Sequence, residues 1–259
     1  MMNILINLIN MNASINEINK YIEKKDKTKI LLDATIYGDL NIIKYLINII
    51  KINPFSCNNN NVNCLHIAAH NGYLECVKYF VETIKLDPSI KDVNGKTSIH
   101  YECGYYNNEL NNISKIKNNN ISEIIRENKK KKDNNLEIVK YFIEIIKIDP
   151  TIKDNNGNTP IYDAAYHDNI EIVKYLVNNN NLSISTKNNN GETILHFYLQ
   201  GLSPYLCILK TFTKMKIIKY LIEICRIDPH VRDNIGNTIL HNASYYGMLD
   251  VIKYLIQLK

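Results

Sequence analysis

Four side chains with metal-binding chemistry crowd into one stretch of the sequence. "NCLHIAAHNGYLECVKYF" at 63–80 holds Cys64, His66, His70 and Cys76. Two thiolates and two imidazoles are the donor set of a structural zinc site, provided that all four converge on one point. Other chemistry is sparse. The recurring "DNNG" and "DNIG" turns have a single Gly and no following Lys-Ser/Thr, so they are not phosphate-binding loops. His, Cys and Asp recur elsewhere at regular spacing, without a nucleophile and base set beside one another. The question is what backbone positions the four residues, and that is answered by a repeat.

The string "VKYF" that ends the stretch recurs as "IKYL" at 43–46, "VKYF" at 139–142, "VKYL" at 173–176, and "IKYL" at 218–221 and 252–255. Its lysines are Lys44, Lys78, Lys140, Lys174, Lys219 and Lys253, stepping by 34, 62, 34, 45 and 34 residues. The base period is therefore 34, with 28 and 11 residues added in two copies. Whole units align as "KILLDATIYGDLNIIKYL" at 29–46, "TPIYDAAYHDNIEIVKYL" at 159–176 and "TILHNASYYGMLDVIKYL" at 238–255. The third unit starts with "TSIHYECGYYNNE" at 97 and resumes at "LEIVKYF" at 136; the fifth starts with "TILHFYL" at 193 and resumes at "MKIIKYL" at 215. Between units lie "LDPSIKDVNGKT", "IDPTIKDNNGNT" and "IDPHVRDNIGNT", which are rich in turn-forming residues.

These units resemble ankyrin repeats, whose pattern is a T-P-L-H-x-A helix start in a repeat of about 33 residues. The resemblance implies an all-α, ankyrin-repeat solenoid of helix-turn-helix units with hairpin-like finger loops. It divides the chain into N-terminal capping helices at 1–28 and six repeats over 29–259. A low-complexity insertion occupies about 107–135 and a shorter, apolar one about 201–212. In this frame the metal reading dissolves. His66 takes the place of His100, His196 and His241, where the family's His fixes the start of the first helix near the preceding Thr. Cys76 stands where Ile138, Ile172 and Val251 stand, as a small buried hydrophobe. Cys64 takes the usual proline position. No metal, cofactor or catalytic residue is expected, and the protein is read as a non-enzyme. In the second helix Ile172, Val173, Leu176 and Val177 form one apolar stripe, which can be buried only by a neighbouring unit. Small pairs such as Ala68-Ala69 and Ala164-Ala165 let first helices approach closely. Glu102-Cys103 and Tyr198-Leu199 replace them in two units, where the stack is expected to be pushed apart locally.

By the same resemblance, the partner is another protein, held by the concave face and the fingers. The candidate contacts follow the small pair: Tyr37, His70, Tyr105, Tyr166, His167, Tyr245 and Tyr246. Tyr suits an interface because it joins apolar area to a polar tip, although with eighteen Tyr and no Trp the chain uses Tyr heavily throughout. Two alternatives remain open. One is nucleic-acid or acidic-partner binding through the basic arm Lys129, Lys130, Lys131 and Lys132, within an Asn-rich segment whose composition predicts a disordered surface loop. The other is a substrate-recognition arm of a ubiquitin ligase. The net charge of +5 does not by itself indicate nucleic acid. No apolar run reaches a membrane span, and "MMNILINLIN" lacks the basic flank and cleavage site of a signal peptide. Six cysteines scattered along the chain suit reduced thiols in a cytoplasmic or nuclear monomer.

Overall fold

The computed structural model describes residues 14–23, 25–104, 134–180, 184–200 and 215–258. The start of the expected cap, Tyr105, Lys129–Lys132 and nearly all of both insertions lie outside the described residues. Asn134 and Asn135, counted above with the long insertion, open a helix instead, and Asn135 is buried.

The described elements are helices α1 (Ile15–Ile22), α2 (Lys27–Tyr37), α3 (Leu40–Asn48), α4 (Cys64–His70), α5 (Leu74–Lys78) and α6 (Ser98–Cys103). They continue as α7 (134–140), α8 (Pro160–Tyr166), α9 (Ile170–Asn180), α10 (Ile194–Gln200), α11 (215–219), α12 (Ile239–Tyr245) and α13 (Leu249–Gln257). Among the described residues, the only β pairing is one isolated bridge between Cys57 and Asn63. Two compact units divide these helices near residue 102 and again near 148. In the first unit α2 packs on α4; in the second α8 packs on α10 and α10 on α12. First helix against first helix is therefore the contact that repeats. Each second helix lies against its own first helix: α3 on α2, α5 on α4, α9 on α8, α13 on α12.

Local chemistry sets the helix ends. Asp26 and Asp39 accept backbone N–H groups of Lys29, Asn41 and Ile42, satisfying donors that have no partner inside their own helix. The short turn between paired helices needs a left-handed residue, supplied by Gly38, Gly72, Asp168 and Gly247 with φ of 72°, 72°, 62° and 66°. The close-packing positions are sealed. Ala68, Ala69, Ala164, Ala165 and Ala243 are fully buried. The bulky substitutes Glu102, Cys103, Tyr198 and Leu199 are enclosed as well. Tyr198 donates its hydroxyl to Asp168 Oδ1 at 3.0 Å. Glu102 has no hydrogen-bond partner for either carboxyl oxygen, and burial pushes its carboxyl well above the usual carboxylate range.

The second helices depart from a plain α-helix. In three of them the last turn is a π-turn: Tyr79–Thr83, Tyr141–Ile145 and Tyr220–Ile224. Ile84, Ile146 and Cys225 N–H donate five residues back, to the carbonyls of Tyr79, Tyr141 and Tyr220. The next residue is left-handed although it is not Gly: Lys85, Lys147 and Arg226 have φ of 63°, 65° and 59°. This wider turn takes up one extra residue, which accounts for a period of 34 in place of about 33. It also returns Leu86 and Ile227 to the core.

The recurring His closes the frame. Nδ1 of His100, His196 and His241 accepts the N–H of Thr97, Thr193 and Thr238 at 3.1–3.3 Å, whereas Nδ1 of His66 faces both the N–H and the Oδ1 of Asn63, at 3.3 and 2.8 Å. Where Nδ1 accepts, Nε2 carries the proton. His66 Nε2 then donates to the Ile90 carbonyl, and His196 Nε2 to the Asn237 carbonyl, each at 3.1 Å. The neutral ring thus holds both its own helix start and the finger of the next unit. Burial, opposed by those carbonyls, lowers the pKa of His66 and His196.

Two outcomes follow. A Cβ on Gly38 would lie 2.6 Å from the Tyr73 ring, whereas one on Gly247 would meet nothing within 4 Å, both at positive φ. In chemical denaturation Gly38→Ala should cost about 2 kcal/mol or more, and Gly247→Ala about 1 kcal/mol, the left-handed strain alone. The second concerns pH. The unfolded His protonates near about 6.5 and the folded one only below that, so the clamp's stabilisation is present above about pH 6.5 and lost as pH falls through the folded pKa. The stability difference between the native chain and the double variant His66→Asn/His196→Asn should narrow from about pH 7 to about pH 5. Glu102 has the opposite slope but is common to both proteins, so the difference isolates the histidines. A difference constant with pH would contradict the neutral clamp.

Candidate functional site

The cysteine and histidine stretch is assembled for packing. Cys64 and Cys76 are buried, and burial pushes their thiols up to about 12 and about 11. A zinc ligand needs the reverse, a thiolate. Cys76 Sγ donates to the Gly38 carbonyl at 3.7 Å. Both ring nitrogens of His66 are engaged. His70 turns away and meets Tyr101 edge-on, ring centroids 6.2 Å apart. Among the described residues, no group of three or more His, Cys, Asp or Glu is placed to hold a metal ion.

The positions after the close-packed pair behave differently. In the first unit Ile36 and Tyr37 end α2 with Tyr37 56% exposed. In the second unit Tyr245 ends α12 and is 84% exposed, meeting Tyr246 edge-on at 5.1 Å. Tyr166 ends α8 at 37% exposure; its ring contacts His167 at 5.0 Å and Phe197 at 5.4 Å. It is therefore partly a packing residue, unlike Tyr37 and Tyr245. Tyr246 is half-buried, and burial raises its pKa, with Tyr245, Tyr166 and Glu192 adding to the shift. Tyr245 and Tyr246 share one neighbourhood with Glu192, and Tyr166 is not on its walls.

That neighbourhood is a groove of about 640 Å³ between the finger at 233–237 and α12. Its walls include Glu192, Asp233, Ile235, Asn242, Tyr245 and Tyr246. The finger itself is a carboxylate-centred turn. Asp233 Oδ1 accepts the N–H groups of Ile235 and Asn237 at 3.0 and 2.8 Å, and Gly236 takes φ 87°. Neighbouring fingers are zipped by backbone bonds, Asn189 N–H to Asn156 carbonyl and Asn234 N–H to Asn190 carbonyl, both 2.9 Å. The first unit has its own groove of about 470 Å³, lined by Asp26, Lys29, Asp33, Ile36 and Cys57 among others.

The sequence pattern singled out the tyrosines. It passed over Asp233, Ile235 and Asn242. A signal was available: the position of Asn242 carries Tyr101 and Phe197 in two other units, so a shorter side chain there opens space.

Comparison with known proteins agrees with this architecture. The family model for ankyrin repeats (3 copies) matches residues 2–92, 31–119 and 130–209, and that for ankyrin repeats (many copies) matches 204–256. No curated protein sequence matches the chain. Among solved structures, the ankyrin repeat protein EF0377 is similar at 18% identity and TM-score 0.59, over 90% of this chain and 98% of that one. A chain in the complex of the predatory endopeptidase Bd0816 from Bdellovibrio bacteriovorus with immunity protein Bd3460 is similar at 20% identity and TM-score 0.59, over 91% and 100%. An ankyrin repeat domain from Acinetobacter baumannii AYE is similar at 18% identity and TM-score 0.56, over 87% and 95%. At these identities the likeness is one of fold. The family-model matches, which span most of the sequence, carry the assignment: this chain belongs to the ankyrin repeat family.

Proposed function

We propose that the chain is a non-enzymatic interaction module, an adaptor that binds another protein through the finger-side grooves and the aromatic residues beside them. Ankyrin repeats generally mediate protein–protein interaction, and the specific reading rests on one observation. Large apolar side chains that take little or no part in the internal packing, Ile36, Tyr37, Ile235 and Tyr245, stand exposed next to the grooves. Apolar side chains are exposed elsewhere too, as at Ile145 and Ile224, but these stand beside a groove, as on a docking face. One similar solved structure is itself an enzyme–immunity protein complex, which is in keeping with a binding role for this architecture. Described cysteines without a disulfide are in keeping with a reducing, cytoplasmic setting. No helix among the described residues is long and apolar enough to cross a membrane.

The test separates binding from folding. Tyr37→Ala and Tyr245→Ala should each move thermal or chemical stability by no more than about 0.5 kcal/mol, since both rings are exposed. If either is a hot spot, affinity for a partner identified by cross-linking should fall by about 2 kcal/mol or more. Ile172→Ala, in the buried stripe, is the control and should cost about 2–5 kcal/mol of stability. Partner affinity unchanged in both Tyr variants would remove this face from the function.

A further inference from the structure

The groove beside α12 contains a hydrogen-bonding position that other units fill from within. In the third unit Tyr101 occupies the fourth position after Thr97, and its hydroxyl donates to Asp92 Oδ2 at 2.9 Å. In the fourth unit Asp154 Oδ2 accepts the Asn158 side-chain amide at 3.3 Å. In the last unit Asp233 uses Oδ1 for its own turn in the same way, but Oδ2 receives no hydrogen bond among the described residues. The residue equivalent to Tyr101 is Asn242, which is too short to reach it, and Asn237, which stands where Asn158 stands, donates its backbone N–H to Oδ1. What remains is the groove, with Asn242 and Asp233 on its walls and the Tyr245–Tyr246 pair beside them.

Charge then selects the guest. Glu192 also lines the groove, and its carboxylate is held by neutral amides, those of Asn188 at 2.7 Å and Gln200. No Lys or Arg is among the lining residues. The nearby Lys187 and Arg232 heads are tied to the Arg232 and Gly236 carbonyls at 2.8 and 2.7 Å. The groove of the first unit differs, because Lys29 stands beside Asp26 and Asp33. We infer that the groove at 233–246 receives an arginine side chain from an extended segment of the protein partner. The inference rests on the protein-docking reading and gives that partner its anchoring residue. The guanidinium takes the place that Tyr101 fills in the third unit. It donates to Asp233 Oδ2, lies against one ring of the edge-on Tyr245–Tyr246 pair, and is drawn in by Glu192. Arginine fits better than lysine, because a flat multi-donor cation can bond a carboxylate and stack on an aromatic ring together. A groove of about 640 Å³ is within the range that encloses such a group.

The probe is a blocked Gly-Ser peptide with one central Arg, compared with citrulline and Lys versions, titrated into the intact chain and followed by backbone amide NMR. The Arg peptide should shift amides of the 233–246 segment, and citrulline, of the same shape without the charge, should bind about tenfold more weakly, about 1.4 kcal/mol. Asp233→Asn should reduce the Arg peptide to the citrulline level. That substitution keeps the turn, because Asn188 holds the same turn with its side-chain oxygen in the preceding unit. Asn242→Tyr, which copies the third unit, should abolish binding, with an unchanged melting transition showing that the fold persists. Equal affinity for Arg, citrulline and Lys peptides, shifts elsewhere, no shifts, or indifference to Asn242→Tyr would each overturn the assignment. If the peptides fail while partner affinity still depends on Tyr245, docking stands and the arginine anchor falls. If both fail, both readings fall.

Discussion

Each helical pair of this protein leaves one side of its first helix bare until the next pair is laid on it, and almost everything else follows from that. A unit of about 34 residues cannot enclose a core by itself. The repeating contact of first helix on first helix demands small or fully accommodated side chains at two positions per unit, met by Ala68-Ala69 and Ala164-Ala165. The imidazole clamp adds direction. One neutral ring binds the start of its own helix and the finger of the unit after it, so helix geometry and stacking geometry are fixed together.

The deviations show how much that contact tolerates. Tyr198 stands in place of a small residue, yet it is enclosed with its hydroxyl on Asp168, which itself takes the left-handed turn position. Glu102 is enclosed with no hydrogen-bond partner for its carboxyl among the described residues, and desolvation raises its pKa. The π-turns are a third adjustment. They absorb an added residue inside the second helix, and the next residue accepts a left-handed backbone so that the following apolar side chain returns to the core.

Stacking consumes the faces of each unit that meet its neighbours, and the finger side is spared. The residues there are spared from packing, which explains how the same framework presents Tyr37 in one place and Tyr245 in another. The groove beside α12 has Asn242 on its wall, where two other units carry Tyr101 and Phe197.

The sequence by itself determined the unit, its register and its core. The Lys44 to Lys253 series sets the period, the Thr-to-His spacing sets three of the first-helix starts, and the apolar stripe of Ile172, Val173 and Leu176 is buried as the spacing requires. These are legible because they recur, and because helical period and turn chemistry are local. The same logic reassigned Cys64, His66 and Cys76 from metal ligands to packing residues. What only the tertiary structure decided depends on which groups end up side by side. It showed that Tyr166 leans on Phe197 while Tyr245 is exposed against Tyr246, that the extra residue per repeat lodges in a π-turn, and that Asp233 Oδ2 receives no hydrogen bond among the described residues. The first turns on a neighbour distant in sequence and adjacent only once the units are stacked, and the others on how each turn closes within its unit.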